Sequence, residues 1–305
     1  MFWLIITVIS YFIFSLVSLV DKLLLGSSIT NPKVYAFYVG VLGVLALVLV
    51  PFIGFYIPSP FQIFLSLAAG VSFIFGLFLF FRALKLFEPS RIVPAFGGIL
   101  PVFVFLLIYI FSGGKEALGF GNFLPFTLLI SGSILITYEK TGKITMKSLQ
   151  MASFAAFFMA IYFVLSKYVF LGQSFWNGFV WMRIGGALMA AAFLLQKETR
   201  EELSGPKIAL SSKSVGIFIS NQAAGAGATI LQNWAIALTP LIYVAFINAL
   251  QGVQYAFLLV FTILFSLKFP RLLKEKISKG IIFQKIAAIM LIGVGLLILA
   301  YGKAI

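Results

Sequence analysis

The sequence predicts an all-α integral membrane protein of ten transmembrane helices in two inverted five-helix repeats, and three observations carry that prediction. Of 305 residues, 62% are hydrophobic and 10% charged, with a mean hydropathy of +1.13, too little polar material to solvate a globule of this length. The apolar residues gather into ten segments of roughly 20, the length that crosses a hydrocarbon core of about 30 Å as a helix. All but four of the 22 lysines and arginines follow the odd-numbered segments, the asymmetry that holds loops on the cytoplasmic side.

The segments lie near 2–20, 34–53, 61–81, 90–111, 120–138, 150–170, 175–195, 214–237, 241–266 and 281–301. The first begins at Phe2 without a basic leader region and without a small-residue cleavage site before Asp21, so it is expected to stay as a span. The third and eighth are parted from their successors only by proline turns, at Glu88-Pro89-Ser90 and Thr239-Pro240, which end a helix by removing a donor and crowding the preceding turn. The fourth contains Pro94, Gly97, Gly98 and Pro101, a combination that thins and loosens a helix, whether to make room and a bend or to let a neighbour approach. In the ninth loop, Leu272, Leu273 and Ile277 stand among the basic residues of Lys268–Lys279. That loop is read as solvated, with a short interfacial helix on an anionic leaflet as the alternative.

The four exceptions to the charge pattern are Lys115, Lys167, Lys303 and Arg183, the last inside the seventh segment. The excess places the odd-numbered loops in the cytoplasm and both termini outside, in the cytoplasmic membrane. A net charge of +14 is thereby assigned to topology, and no nucleic-acid partner is expected. Histidine and cysteine are both absent, which removes the usual metal ligands, general base and thiol nucleophile. We expect no enzyme activity, no metal and no cofactor.

The chain repeats itself weakly. Phe81–Pro101 reads against Gln232–Gly252, with Pro89 matching Pro240 and Pro101 matching Gly252 at one offset of 151 residues, and Ser18–Gly26 resembles Leu165–Gly172. Five is odd, so two five-span units, 1–140 and 141–305, must sit in the membrane with opposite orientation. Basic residues follow the first and third spans of one unit and the second and fourth of the other, as inversion requires. Inverted repeats place a substrate site near the midplane between halves that rock against one another.

Residues 83–101, their counterpart Asn233–Pro240, and Met182-Arg183-Ile184-Gly185-Gly186 in the seventh span resemble the EamA-type drug/metabolite transporter superfamily over nearly the whole chain. The resemblance implies ten helices in two inverted halves around a central cavity, lined mainly by the first, third, fourth, sixth, eighth and ninth helices. Two features depart from the family pattern: Ala287-Ala288 precede Gly293 where a richer glycine run is usual, and many relatives have cytoplasmic termini.

The eighth span carries the clearest candidate site. Asn221, Gln222, Gly225, Thr229, Gln232 and Asn233 fall within about a third of the circumference at about 100° per residue. We read this face as a cavity wall, with helix packing through Gly225–Ala228 as the alternative. In the ninth span, Asn248, Gln251 and Tyr255 share a face and Gln254 lies off it. Tyr11, Ser15 and Ser18 on the first span and Tyr162 and Ser166 on the sixth also share faces, although span hydroxyls can bond their own backbone. Arg183 is either an anchor for a carboxylate or phosphate or, as we prefer, a side chain that snorkels or pairs with a carbonyl. No Asp or Glu lies well inside a span, whereas proton-coupled exporters of organic cations usually exchange proton for drug on such a group.

We therefore expect a facilitator or exporter of small polar metabolites, amino acids for instance, acting on a small-molecule substrate in the bilayer as a monomer or homodimer. The substrate-binding candidates are Asn221, Gln222, Gly225, Thr229, Asn248, Gln251, Tyr255, Tyr11, Ser15, Tyr162 and Arg183. The alternatives are an organic-anion or phosphate exchanger built on Arg183, with Arg82 and Lys167 helping, and a lipid-carrier flippase.

Overall fold

The computed structural model describes residues 2–25, 31–87, 89–138, 145–204, 212–268 and 279–301, and within them every regular element is helical. Glu88 and most of the basic loop beyond Lys268 lie outside the described residues.

Helix α1 (Phe2–Leu25) is mainly apolar up to Val20, and three of its hydroxyls bond within the helix: Thr7 donates to the Trp3 carbonyl, Ser15 to Phe12 and Ser18 to Phe14. Asn31 caps α2 (Pro32–Gly43), its side chain accepting from the Lys33 amide, with Pro32 at the first helical position. The expected second span then tightens into a nine-residue 3-10 run, Val44–Phe52, containing Pro51. Runs of that length are uncommon because side chains three apart eclipse. Ser59 and Pro60 start α3 (Pro60–Leu86), and Pro89 starts α4 (Pro89–Phe111) after the expected turn. After α5 (Phe120–Thr137), a reciprocal Thr145–Ser148 capping box starts α6 (Met146–Gly172) four residues before the apolar run predicted it.

Helix α7 (Phe175–Phe193) is followed by α8 (Lys197–Ser204), bent from it by 99°. The charged α8 was not foreseen. Its Glu198 pairs with Lys33 at 3.5 Å and its Glu202 accepts from Asn31, so it ties the loop to the start of α2. Helix α9 (Ser212–Leu238) precedes the Thr239-Pro240 break. The expected ninth span is interrupted: a 3-10 turn at Leu241–Tyr243 leads to α10 (Val244–Ala249), and Leu250 separates it from α11 (Gln251–Lys268). Helix α12 (Lys279–Tyr301) completes the fold.

Among the described residues, seven stretches are long and apolar enough to cross a membrane: Phe2–Val20, Pro32–Phe52, Pro60–Leu86, Arg91–Phe111, Met146–Gly172, Leu241–Leu264 and Phe283–Tyr301. An eighth is added if α7 and α8 count as one bent pair, and α5 is apolar but shorter. The molecule is an all-helical, multi-pass membrane protein. Helix α1 packs on α9, α3 on both α6 and α7, α4 on α6, and α5 on α12. The α3–α7 crossing is at backbone contact: a Cβ at Gly70 would overlap the Met182 carbonyl, and one at Gly185 would overlap Leu67. Small residues give this closeness where water supplies no drive to associate. The segment Val244–Leu250 is fully buried at the centre of the main core.

Candidate functional site

The broken ninth segment brings polar side chains into an otherwise apolar bundle. A cavity of about 230 Å³ lies where α1, α3, α4, α6, α9, α10 and α11 converge. Its polar lining consists of Tyr11, Tyr162, Thr229, Gln232, Asn248, Gln251 and Gln254, and its apolar lining of Phe73, Leu77, Phe96, Leu100 and Met159, with Phe14 and Phe163 completing it. Most of these residues stand near the middle of their helices.

The polar wall is held by its own hydrogen bonds. The Tyr11 hydroxyl donates to the Ile247 carbonyl at 2.7 Å and accepts from Gln232 Nε2 at 3.4 Å. Tyr162 donates to Asn233 Oδ1 at 3.0 Å, and Asn233 in turn donates to the Thr229 carbonyl at 2.9 Å. Asn248 Nδ2 donates to the Val244 carbonyl at 3.0 Å, and Gln254 Nε2 to Ser18 at 3.4 Å. In Gln232, Asn248 and Gln254 the fixing bond comes from the amide nitrogen. Each carbonyl oxygen is left as an acceptor with no protein donor among the described residues. The wall can therefore receive N–H and O–H groups, and it carries no fixed charge.

Of the eleven residues singled out in the sequence, Tyr11, Tyr162, Thr229, Asn248 and Gln251 line this cavity. Asn221 and Gly225 turn to α1 instead: Asn221 Nδ2 donates to the Val17 carbonyl at 3.4 Å, and a Cβ at Gly225 would touch Val17. Gln222 is half-buried outside the lining, and Ser15 is fully buried and bonded within its own helix. Tyr255 packs on the core without lining the cavity. Arg183 occupies a separate void between α2, α3 and α7, divided from the cavity by Phe73 and Tyr162, which line both. The side chains named as its helpers do not join it: Lys167 Nζ donates to the Ala237 carbonyl in the last turn of α9 at 2.9 Å, and Arg82 is exposed.

Gln232 and Gln254 complete the wall. Gln232 was visible on the α9 stripe, whereas Gln254 was placed off the face because about 100° per residue was carried through Leu250. The helix is broken there, between α10 and α11.

A solved crystal structure matches this chain at a TM-score of 0.66 with 15% identity, covering 97% of this chain and 95% of that one. It is one of 28 matching solved chains, and at this identity the likeness is one of fold. No protein-family model and no curated protein matches.

Proposed function

We propose that the chain is a transporter, a facilitator or exporter, of small polar metabolites in the cytoplasmic membrane, working by alternating access through the central cavity. The observation that carries this reading is a lining of amides and hydroxyls beside aromatic rings in a cavity inside an apolar bundle. Polar groups in that position are costly unless they serve each other or a passing solute, and the amide oxygens of Gln232, Asn248 and Gln254 have no protein donor among the described residues. The cavity suits a metabolite of a few heavy atoms by volume.

The packing supports two inverted repeats of five, at 1–140 and 141–305, if α9, α10 with α11, and α12 are the last three of ten spans. Helix α1 then sits on α9 as α3 sits on α6, and α11 on α1 as α4 on α6. The pairs α2–α7, α4–α10 and α5–α12 join equivalent members of the two halves. This arrangement and the sequence resemblance favour an EamA-like member of the drug/metabolite transporter superfamily, and the charge bias favours cytoplasmic odd-numbered loops.

The test is counterflow in proteoliposomes with amino acids, nucleosides, organophosphates and organic cations. Saturable flux of a neutral or zwitterionic solute that falls at least tenfold in Gln251→Leu supports the reading. Flux confined to anions would replace it with the exchanger, and absence of solute flux in folded protein would move the assignment to a lipid cargo.

A further inference from the structure

Arg183 lies inside the bundle, about 12 Å along the axis from the start of α7 and about 15 Å from its end. The residue is half-buried, but its Nε and Nη2 are buried and have no hydrogen-bond partner among the described residues. Two rings flank it, with the guanidinium carbon 4.5 Å from the Phe179 centroid and 5.4 Å from that of Phe73. Gly43 of α2 closes on its stem, where an added Cβ would come within 3.4 Å of Cδ.

Two buried guanidinium N–H groups without an acceptor carry a desolvation cost that the ring faces offset only in part. None of the eight acidic residues lies well inside an expected span, and the ion pairs among the described residues join α2 to α8 or lie within α8. These two N–H groups are placed to take an anion from solution. Nε–H and Nη2–H lie on one edge of the guanidinium plane, and that edge grips a carboxylate through two parallel hydrogen bonds. The void beside it is about 10 Å³, and its inner boundary is the Phe73–Tyr162 ring pair, centroids 4.8 Å apart, whose other side faces the central cavity.

We propose that Arg183 is the carboxylate anchor of the cargo site and that the cargo is a small zwitterion. Its carboxylate is taken by the Arg183 fork once Phe73 and Tyr162 part, and its ammonium by the acceptor oxygens of Gln232, Asn248 and Gln254. This assignment rests on the carrier reading and narrows its substrate class. Free chloride shares the same anion chemistry and is distinguished below.

The experiment follows thermal unfolding of the purified full chain with α-amino acids, the matching amines without the carboxylate, the matching acids without the amine, and chloride against a chloride-free sulfate buffer. Wild type, Arg183→Lys and Arg183→Met are compared, with counterflow measured in parallel. An amino acid is expected to raise Tm where its amine does not. Arg183→Lys, which keeps the charge and loses the fork, should raise the half-saturating concentration roughly tenfold to a hundredfold. Arg183→Met should abolish the shift while raising the ligand-free Tm, because the two buried N–H groups without an acceptor are gone.

Equal shifts from amine and amino acid would overturn the proposal. So would a Met variant that keeps the shift or is less stable than wild type, or a chloride shift to which amino acids add nothing. Flux that survives in Arg183→Met with wild-type half-saturation leaves the carrier reading standing and removes only this anchor. Absence of flux for every solute removes the carrier reading itself.

Discussion

Tyr11 joins three elements at one hydroxyl: it stands on α1, donates to the Ile247 carbonyl of α10 and accepts from Gln232 of α9. Ile247 is fully buried, so its carbonyl has no water to replace the phenol. Tyr11→Phe should cost about 1–3 kcal/mol, read as a lower midpoint in thermal unfolding, and should weaken cargo affinity by releasing Gln232. An unchanged midpoint would mean that another donor satisfies Ile247. Lys167 is tied by the same logic to its bond with Ala237 at the end of α9. Lys167→Met should loosen that helix end, seen as faster amide exchange across the last turn of α9, while Arg82→Gln, at an exposed position, should leave exchange unchanged.

At the scale of elements, the glycines divide into two kinds. Gly70 stands where α3 meets the α7 backbone, whereas a Cβ at the buried Gly97 of α4 would have no neighbour within 4 Å. Gly70→Ala must therefore push two helices apart and should lower the thermal midpoint by several degrees. Gly97→Ala should fold with its midpoint kept or slightly raised. If the two variants behaved alike, the α3–α7 contact would not be the close one described. Most helix positions were legible in the sequence, because apolar run length and proline turns are local signals; α1, α4, α7 and α12 fall within about two residues of expectation at most ends. What escaped was set by context. The 3-10 run after Gly43, the charged α8 and the break at Leu250 have no hydrophobic signature of their own. The α9 stripe was read correctly as one face, but a helical wheel ignores depth. Asn221 and Thr229 share that face roughly 12 Å apart along the axis, and at the level of Asn221 the neighbour is Val17 of α1 instead of open space. The amides were therefore visible from sequence, while their division between packing and cavity depended on tertiary contacts.

At the scale of the whole molecule, the charge bias and the proposed inverted repeat make linked claims about sidedness. The chain has no cysteine, so single replacements report topology directly: Lys197→Cys should react with an impermeant thiol reagent only from the cytoplasm, and Lys115→Cys only from outside. Reaction of both from one side would contradict the inverted arrangement. The central claim is that the cavity is the path of the cargo and opens in turn to each side. The measurement that tests it most directly places a cysteine in the polar wall, Thr229→Cys, in proteoliposomes of known orientation. A small charged thiol reagent is then applied from either face, with and without cargo. The account predicts modification from both faces during turnover, protection by cargo, and loss of flux once the site is modified. A Thr229→Cys protein that reacts from neither face, or whose flux is unaffected by complete modification, would contradict it.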